Sequence, residues 1–188
     1  MSDYRFSLIG ADIDGEALGD QSGNTDTGFV GCLGISADGT IVAIGSRNNE
    51  GANGESSGHV RIYKNNDGTW QQIGSDIDGE ASRDSAGVVS ISDDGSIVAI
   101  GASGNDENGD GSGHVRIFQT NGGTWQQIGS DIDGEAAYDQ SGYSVSLSDD
   151  GSVVAIGGSR NDGNGTDSGH VRIYQNNSGT WQQIGSDI

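Results

Sequence analysis

The sequence predicts an all-β fold: β-propeller blades, arranged as three four-stranded repeats of about 55 residues plus an extra N-terminal strand. Three observations lead there. The string TWQQIGSDIDGEA fills residues 69–81 and again 124–136, its opening returns at 180–188, and a fainter version lies at 9–17. GHVRI recurs at Gly58, Gly113 and Gly169, spaced 55 and 56 residues apart, and a fixed period of that size marks a repeat architecture. Finally, segments such as Ile97-Val98-Ala99-Ile100 are apolar at every position. A sheet wetted on one side has no use for that, so both faces must be covered.

The elements follow from this pattern. The units are read as 18–74, 75–129 and 130–185, with the extra N-terminal strand at 4–13. In the third unit, strand a is expected at 143–148, an Asp149-Asp150-Gly151 turn follows, and strand b is expected at 152–157. Asp-Gly between two apolar runs is a strong hairpin signal. A Gly- and Asn-rich loop, 159–168, leads to strand c at 170–174, and a turn at 177–179 leads to strand d at 180–185. The acidic stretch after strand d, such as 131–142, reads as the step from the outer edge of one blade to the inner strand of the next. The first unit carries an insertion around 22–28 and a longer loop near Asn53. No segment shows helical spacing. A β-solenoid would also cover both faces, but about 55 residues is long for one coil.

Composition bounds the function. With 28 acidic residues against 8 basic ones, the net charge of −20 repels phosphate backbones and anionic membrane surfaces, so no nucleic acid partner is expected. No apolar run reaches the ~18 residues of a membrane span, and the N-terminal residues lack the basic and apolar regions of a signal peptide. Cys32 is the single cysteine, which rules out an intrachain disulfide or a cysteine metal cluster.

Three sets of residues are candidates for chemistry. Asp76, Asp78, Glu80 and Asp84 crowd one acidic connection, Asp131, Asp133, Glu135 and Asp139 the next, and Asp12, Asp14, Glu16 and Asp20 echo them. Oxygen-rich loops with glycine suit Ca²⁺, although the spacing is not that of an EF-hand, and aspartates in such loops also cap backbone amides. The stretch 105–110 is a second acidic loop of this kind. His59, His114 and His170 stand beside Arg61, Arg116 and Arg172 at i and i+2 on one strand face. These pairs are expected to bind the acidic loops of the next blade, with a metal- or anion-binding ring as the alternative. Trp70, Trp125 and Trp181 suit either stacking on sugars or packing between blades. Asn164 and Asn176 fit the N-glycosylation pattern.

Taken together, Gly142-Tyr143-Ser144-Val145, Ala155-Ile156-Gly157 and Gly169-His170-Val171-Arg172-Ile173-Tyr174 resemble the FG-GAP type of propeller repeat, in its tryptophan-containing variety. That resemblance implies adhesion, ligand-binding or scaffold roles at an extracellular or cell-surface location. The Asp-rich calcium loop of many members would fall between strands a and b, where this chain has only a tight turn. Catalytic motifs are missing and the units repeat nearly the same residues, so the chain is expected not to be an enzyme. The leading expectation is a structural module that self-associates blade to blade, as a homo-oligomer or filament. The alternative is a carbohydrate-binding or calcium-dependent adhesive module with glycans as partners and Ca²⁺ as its one conceivable cofactor.

Overall fold

The computed structural model describes residues 7–23 and 31–188. These form fourteen strands in three antiparallel sheets, with no helix among the described residues. The first sheet holds β1 (Leu33–Ile35), β2 (Ile41–Ser46), β3 (His59–Asn66), β4 (Thr69–Gln72) and β5 (Ile77–Asp78). The second holds β6 (Ala86–Ile91), β7 (Ile97–Ala102), β8 (His114–Asn121), β9 (Thr124–Gln127) and β10 (Ile132–Asp133). The third holds β11 (Ser141–Leu147), β12 (Val153–Gly158), β13 (His170–Asn177) and β14 (Thr180–Gln183). Each sheet is an up-and-down meander, and β5 and β10 return to pair with the first residues of β3 and β8.

Two expectations need correction. The first two sheets have five strands instead of four. Ile77 and Ile132 are the apolar residues within the acidic connections, and only 6% and 5% of their surface is exposed. They pair with Val60 and Val115, so burial draws part of an otherwise polar loop into the ladder. Ile188 also joins Val171 of the third sheet, through two backbone hydrogen bonds of 3.0 Å, although its own side chain is largely exposed. The expected strand at 4–13 is not seen among the described residues: residues 7–13 run beside β4, where Trp70 Nε1 donates to Ile9 O, without joining a ladder. Residues 4–6, and most of the insertion expected around 22–28, lie outside the described residues.

The hairpins close as the Asp-Gly signal requires. Asp94 Oδ1 accepts from Ser92 Oγ and from the Ser96 amide, while Gly95 takes φ +72°. Neighbouring turns also bond to one another: the Ala37 amide donates to Asp93 O, and the Asp93 amide donates to Asp149 O, each at 2.9 Å.

The doubly apolar strands lie between stacked sheets. Val98, Ile100 and Phe118 of the second sheet pack with Ala43, Val60 and Ile62 of the first. Ala99, Val115 and Ile117, on the opposite face, pack with Val154, Ile156 and Tyr174 of the third. The alternation of strand side chains puts these two sets on opposite faces. Glycine sets the separation. A Cβ on Gly45 would stand 1.9 Å from Gly87 O, and one on Gly101 would stand 2.1 Å from Gly142 O, so the inner strand of each sheet rests on the backbone of the one before it.

Candidate functional site

The histidine, arginine and tryptophan of each unit converge on the seams between sheets. Arg116 begins in β8 of the second sheet, only 7% exposed, and its Nη2 donates to the backbone carbonyl of Asp78 in the first. Its Nη1 lies 3.4 Å from Glu80 Oε1, and its guanidinium sits 5.4 Å from the centre of the Phe118 ring. Arg172 repeats this on Asp133 O, Glu135 and Tyr174, and Arg61 on Asp14 O, Glu16 and Tyr63. Each arginine therefore reaches back to the preceding sheet or segment, not forward to the next blade as the sequence suggested. The reason lies in β5 and β10, whose pairing carries the acidic connection back over the earlier sheet.

The histidines stand two residues before the arginines on the same face, as strand alternation requires. His114 is fully buried, with Nδ1 3.8 Å from Glu80 Oε2 and 3.6 Å from Asp131 Oδ2. His59 meets Glu16 at 3.8 Å and Asp76 at 3.5 Å, and His170 meets Glu135 at 3.7 Å and Asp187 at 3.6 Å. Burial, followed by the charge of Arg116, pushes the His114 imidazole below its ordinary range. The same desolvation raises the carboxyls of Glu80 and Asp133. The first of these seams opens into a cleft of about 500 Å³ that includes Glu16, Asp20, His59, Asp76 and Asp78.

The eight carboxylates singled out for calcium divide by role. Asp76, Glu80, Asp131 and Glu135 reach the histidines. Asp84 and Asp139 are buried caps instead: Asp84 Oδ2 accepts from the amides of Glu80 and Ala81 and from Asn105 Nδ2, and Asp139 Oδ2 accepts from the Ala136 amide and Asn161 Nδ2. Asp78 and Asp133 serve the arginines through their backbone carbonyls. In the loop 105–110, Glu107 joins the His114 cluster, while Asp106 and Asp110 bond to neighbouring loop residues. Sequence reasoning missed Glu107 as a partner of His114 and Glu80 as a residue shared by two sheets. The signal was available in the alignment of the units, where Glu107 stands opposite Gly51 and Gly163.

Trp125 Nε1 donates to Ile73 O, Trp181 Nε1 to Ile128 O and Trp70 Nε1 to Ile9 O. Trp125 and Trp181 also pack on the two apolar layers. The polar edges of all three indoles are thus spent on the seams.

No protein-family model matches the chain, and no curated protein sequence matches it. Among solved structures, it is similar to a Bacteroides fragilis protein described as a candidate 6-phosphogluconolactonase, with a TM-score of 0.57 and 14% identity. That match covers 83% of this chain and 38% of the other. It is also similar to hydrazine synthase of Kuenenia stuttgartiensis, with a TM-score of 0.50, 15% identity, and coverage of 81% and 36%. TolB of Acinetobacter baumannii matches at a TM-score of 0.45 and 17% identity, over 84% of this chain and 32% of that one. The chain thus spans little more than a third of the first of these proteins. The 6-phosphogluconolactonase structure is a β-propeller-type fold, and identities this low speak to the fold alone. That match overturns one expectation, that the chain is not an enzyme, since a structure sharing its fold carries the name of a lactonase. The physical reason is visible in the seams: near-identical strands carry loops that differ, as Glu107 shows, so repetition of the framework does not impose identical sites.

Proposed function

We propose that this chain is a propeller-blade module whose two outer sheet faces bind one another head to tail, joining copies into a ring or filament. One observation carries the reading: the outer faces are copies of faces buried inside the molecule. On the first sheet, Leu33 and Ile35 are 58% and 63% exposed, and they occupy the register of Val89 and Ile91, which pack between sheets. On the third sheet, Val171 is 37% exposed where its counterpart Val115 is fully buried. A cleft of about 360 Å³ lined by Ser144, Gly157, Gly158, His170, Val171 and Ile188 lies over Gly157, at the position where Gly101 receives the backbone of Gly142.

Each outer face thus has the chemistry of one side of an internal seam, and a second copy supplies the other side. Contacts of this heterologous kind generate a ring where the rotation closes and a filament where it does not. The FG-GAP resemblance and a surface or extracellular location belong to the same reading. Sedimentation equilibrium tests it: self-association in the micromolar range is expected, weakened by Val171→Lys. A monomer at all concentrations, with folding intact, defeats it.

A further inference from the structure

His114 differs from His59 and His170 in that both of its ring nitrogens are buried without a hydrogen-bond partner, where the other two show one such nitrogen each. The His114 side chain is 0% exposed. Nδ1 points at two carboxylates, and Glu107 adds a third. The four ligand atoms of Glu80, Glu107, His114 and Asp131 all lie within 4.8 Å of one another.

The spacing is informative. A hydrogen bond would draw nitrogen and oxygen to about 2.7–3.2 Å, whereas these pairs stand at 3.6 and 3.8 Å. Around an ion with ligands at about 2.0–2.2 Å, adjacent corners of a tetrahedron are about 3.3–3.6 Å apart. The two contacts of His114 Nδ1 are therefore close to the edge length of a coordination shell and too wide for hydrogen bonds, and the Glu107 oxygen lies within 4.8 Å of the other three ligand atoms. Charge points the same way: the cluster gathers three carboxylates, of which Arg116 engages Glu80 through Oε1, leaving Oε2 to face His114.

We propose that Glu80, Glu107, His114 and Asp131 form a binding site for a divalent first-row transition ion, with Zn²⁺ as its representative, at the seam between the first and second sheets. Imidazole nitrogen with carboxylate oxygen in a four-ligand set suits Zn²⁺. Ca²⁺ takes six to eight oxygens at longer range, so a buried nitrogen selects against it. The other seams repeat the arrangement with one ligand fewer, as Glu16, His59 and Asp76 and as Glu135, His170 and Asp187. Gly51 and Gly163 stand where Glu107 stands, as shown by Asn49, Asn105 and Asn161, each of which accepts from the amide two residues on. The site lies within one chain, so it does not depend on association between copies.

The test is a titration of the chelator-stripped full chain with Zn²⁺ and, separately, Ca²⁺, followed by calorimetry. One tight Zn²⁺ site and two weaker ones are expected, with Ca²⁺ unable to displace Zn²⁺. Glu107 is exposed, so Glu107→Gln leaves folding untouched and weakens the tight site by at least about tenfold, the lower end of what losing a supporting partner does. Cu²⁺ loaded in place of Zn²⁺ shows nitrogen hyperfine coupling by electron paramagnetic resonance, and His114→Gln abolishes it. If His114→Gln does not fold, the coupling in the parent chain and the Glu107→Gln titration decide the matter. Zn²⁺ affinity unchanged by Glu107→Gln, Ca²⁺ bound more tightly than Zn²⁺, or no nitrogen coupling in the folded parent would each overturn the proposal.

Discussion

The same glycine occurs on the same strand of all three sheets, and replacing it with alanine gives three different outcomes. A methyl on Gly101 meets Gly142 O at 2.1 Å and Gly142 Cα at 3.1 Å, and a methyl on Gly45 meets Gly87 O at 1.9 Å. The atoms in the way are backbone, so relief requires the sheets to part by about 1 Å, a gap that forfeits a quarter to a half of each dispersion contact it opens. Overpacking of this kind costs about 1–3 kcal/mol. Alanine's intrinsic advantage over glycine in a strand, about 0.5–1 kcal/mol, offsets part of it. A methyl on Gly157 meets only Ser144 Oγ closely, at 2.4 Å, and a hydroxyl rotates away. Gly45→Ala and Gly101→Ala should therefore destabilise the chain by roughly 1–2 kcal/mol net, and Gly157→Ala should leave stability unchanged or slightly raised. Urea denaturation followed by tryptophan fluorescence at low protein concentration reads the difference. Equal effects at all three positions, or the largest effect at Gly157, would refute the claim that backbone contact between sheets fixes their spacing.

Other outcomes follow from the seams and turns. Arg116→Met removes a charge-assisted hydrogen bond to Asp78 O and should cost about 1.5–3 kcal/mol in the same assay, with Arg116→Lys recovering only part because one ammonium cannot reach both Asp78 O and Glu80. Trp181→Phe keeps a ring on the apolar layer but strands Ile128 O, for a loss of about 1 kcal/mol. The carboxyls of Asp38 and Asp94 lie below their ordinary range and that of Asp150 falls to about 2, each held there first by a backbone amide and then by hydroxyls of the same turn. A depressed folded pKa contributes stability that is complete above about pH 4 and is lost as the pH falls toward 2. Thermal melts across that window should show the loss, and combining Asp38→Asn, Asp94→Asn and Asp150→Asn should flatten it. Cys32 is 1% exposed and burial raises its thiol, so thiol reagents at pH 7.5 should label it only after denaturant is added.

The stacked-sheet architecture was legible in the sequence because its signals are local. Asp-Gly turns, strand alternation and Ile97-Val98-Ala99-Ile100 each state their requirement within a few residues. β5 and β10 were hidden because two-residue strands have no period of their own, and one isoleucine among acidic residues looks like loop. The site was half legible. His114 and Arg116 were marked by their recurrence, but the carboxylates they meet depend on how one sheet sits on another. Glu80 and Asp131 are 51 residues apart in the chain and meet only because β5 and β10 return to adjacent sheets. Three-dimensional stagger of that sort is absent from any single unit's sequence.

The arginine contacts give the stack a polarity. At every seam the guanidinium belongs to the later sheet and the carbonyl it grips to the earlier segment. Arg61 is already joined to Asp14 O and Glu16 within the chain, so this direction is built into each molecule before any second copy is met. Copies joined as proposed above would line up all facing the same way, so growth at one end of such a row would differ chemically from growth at the other.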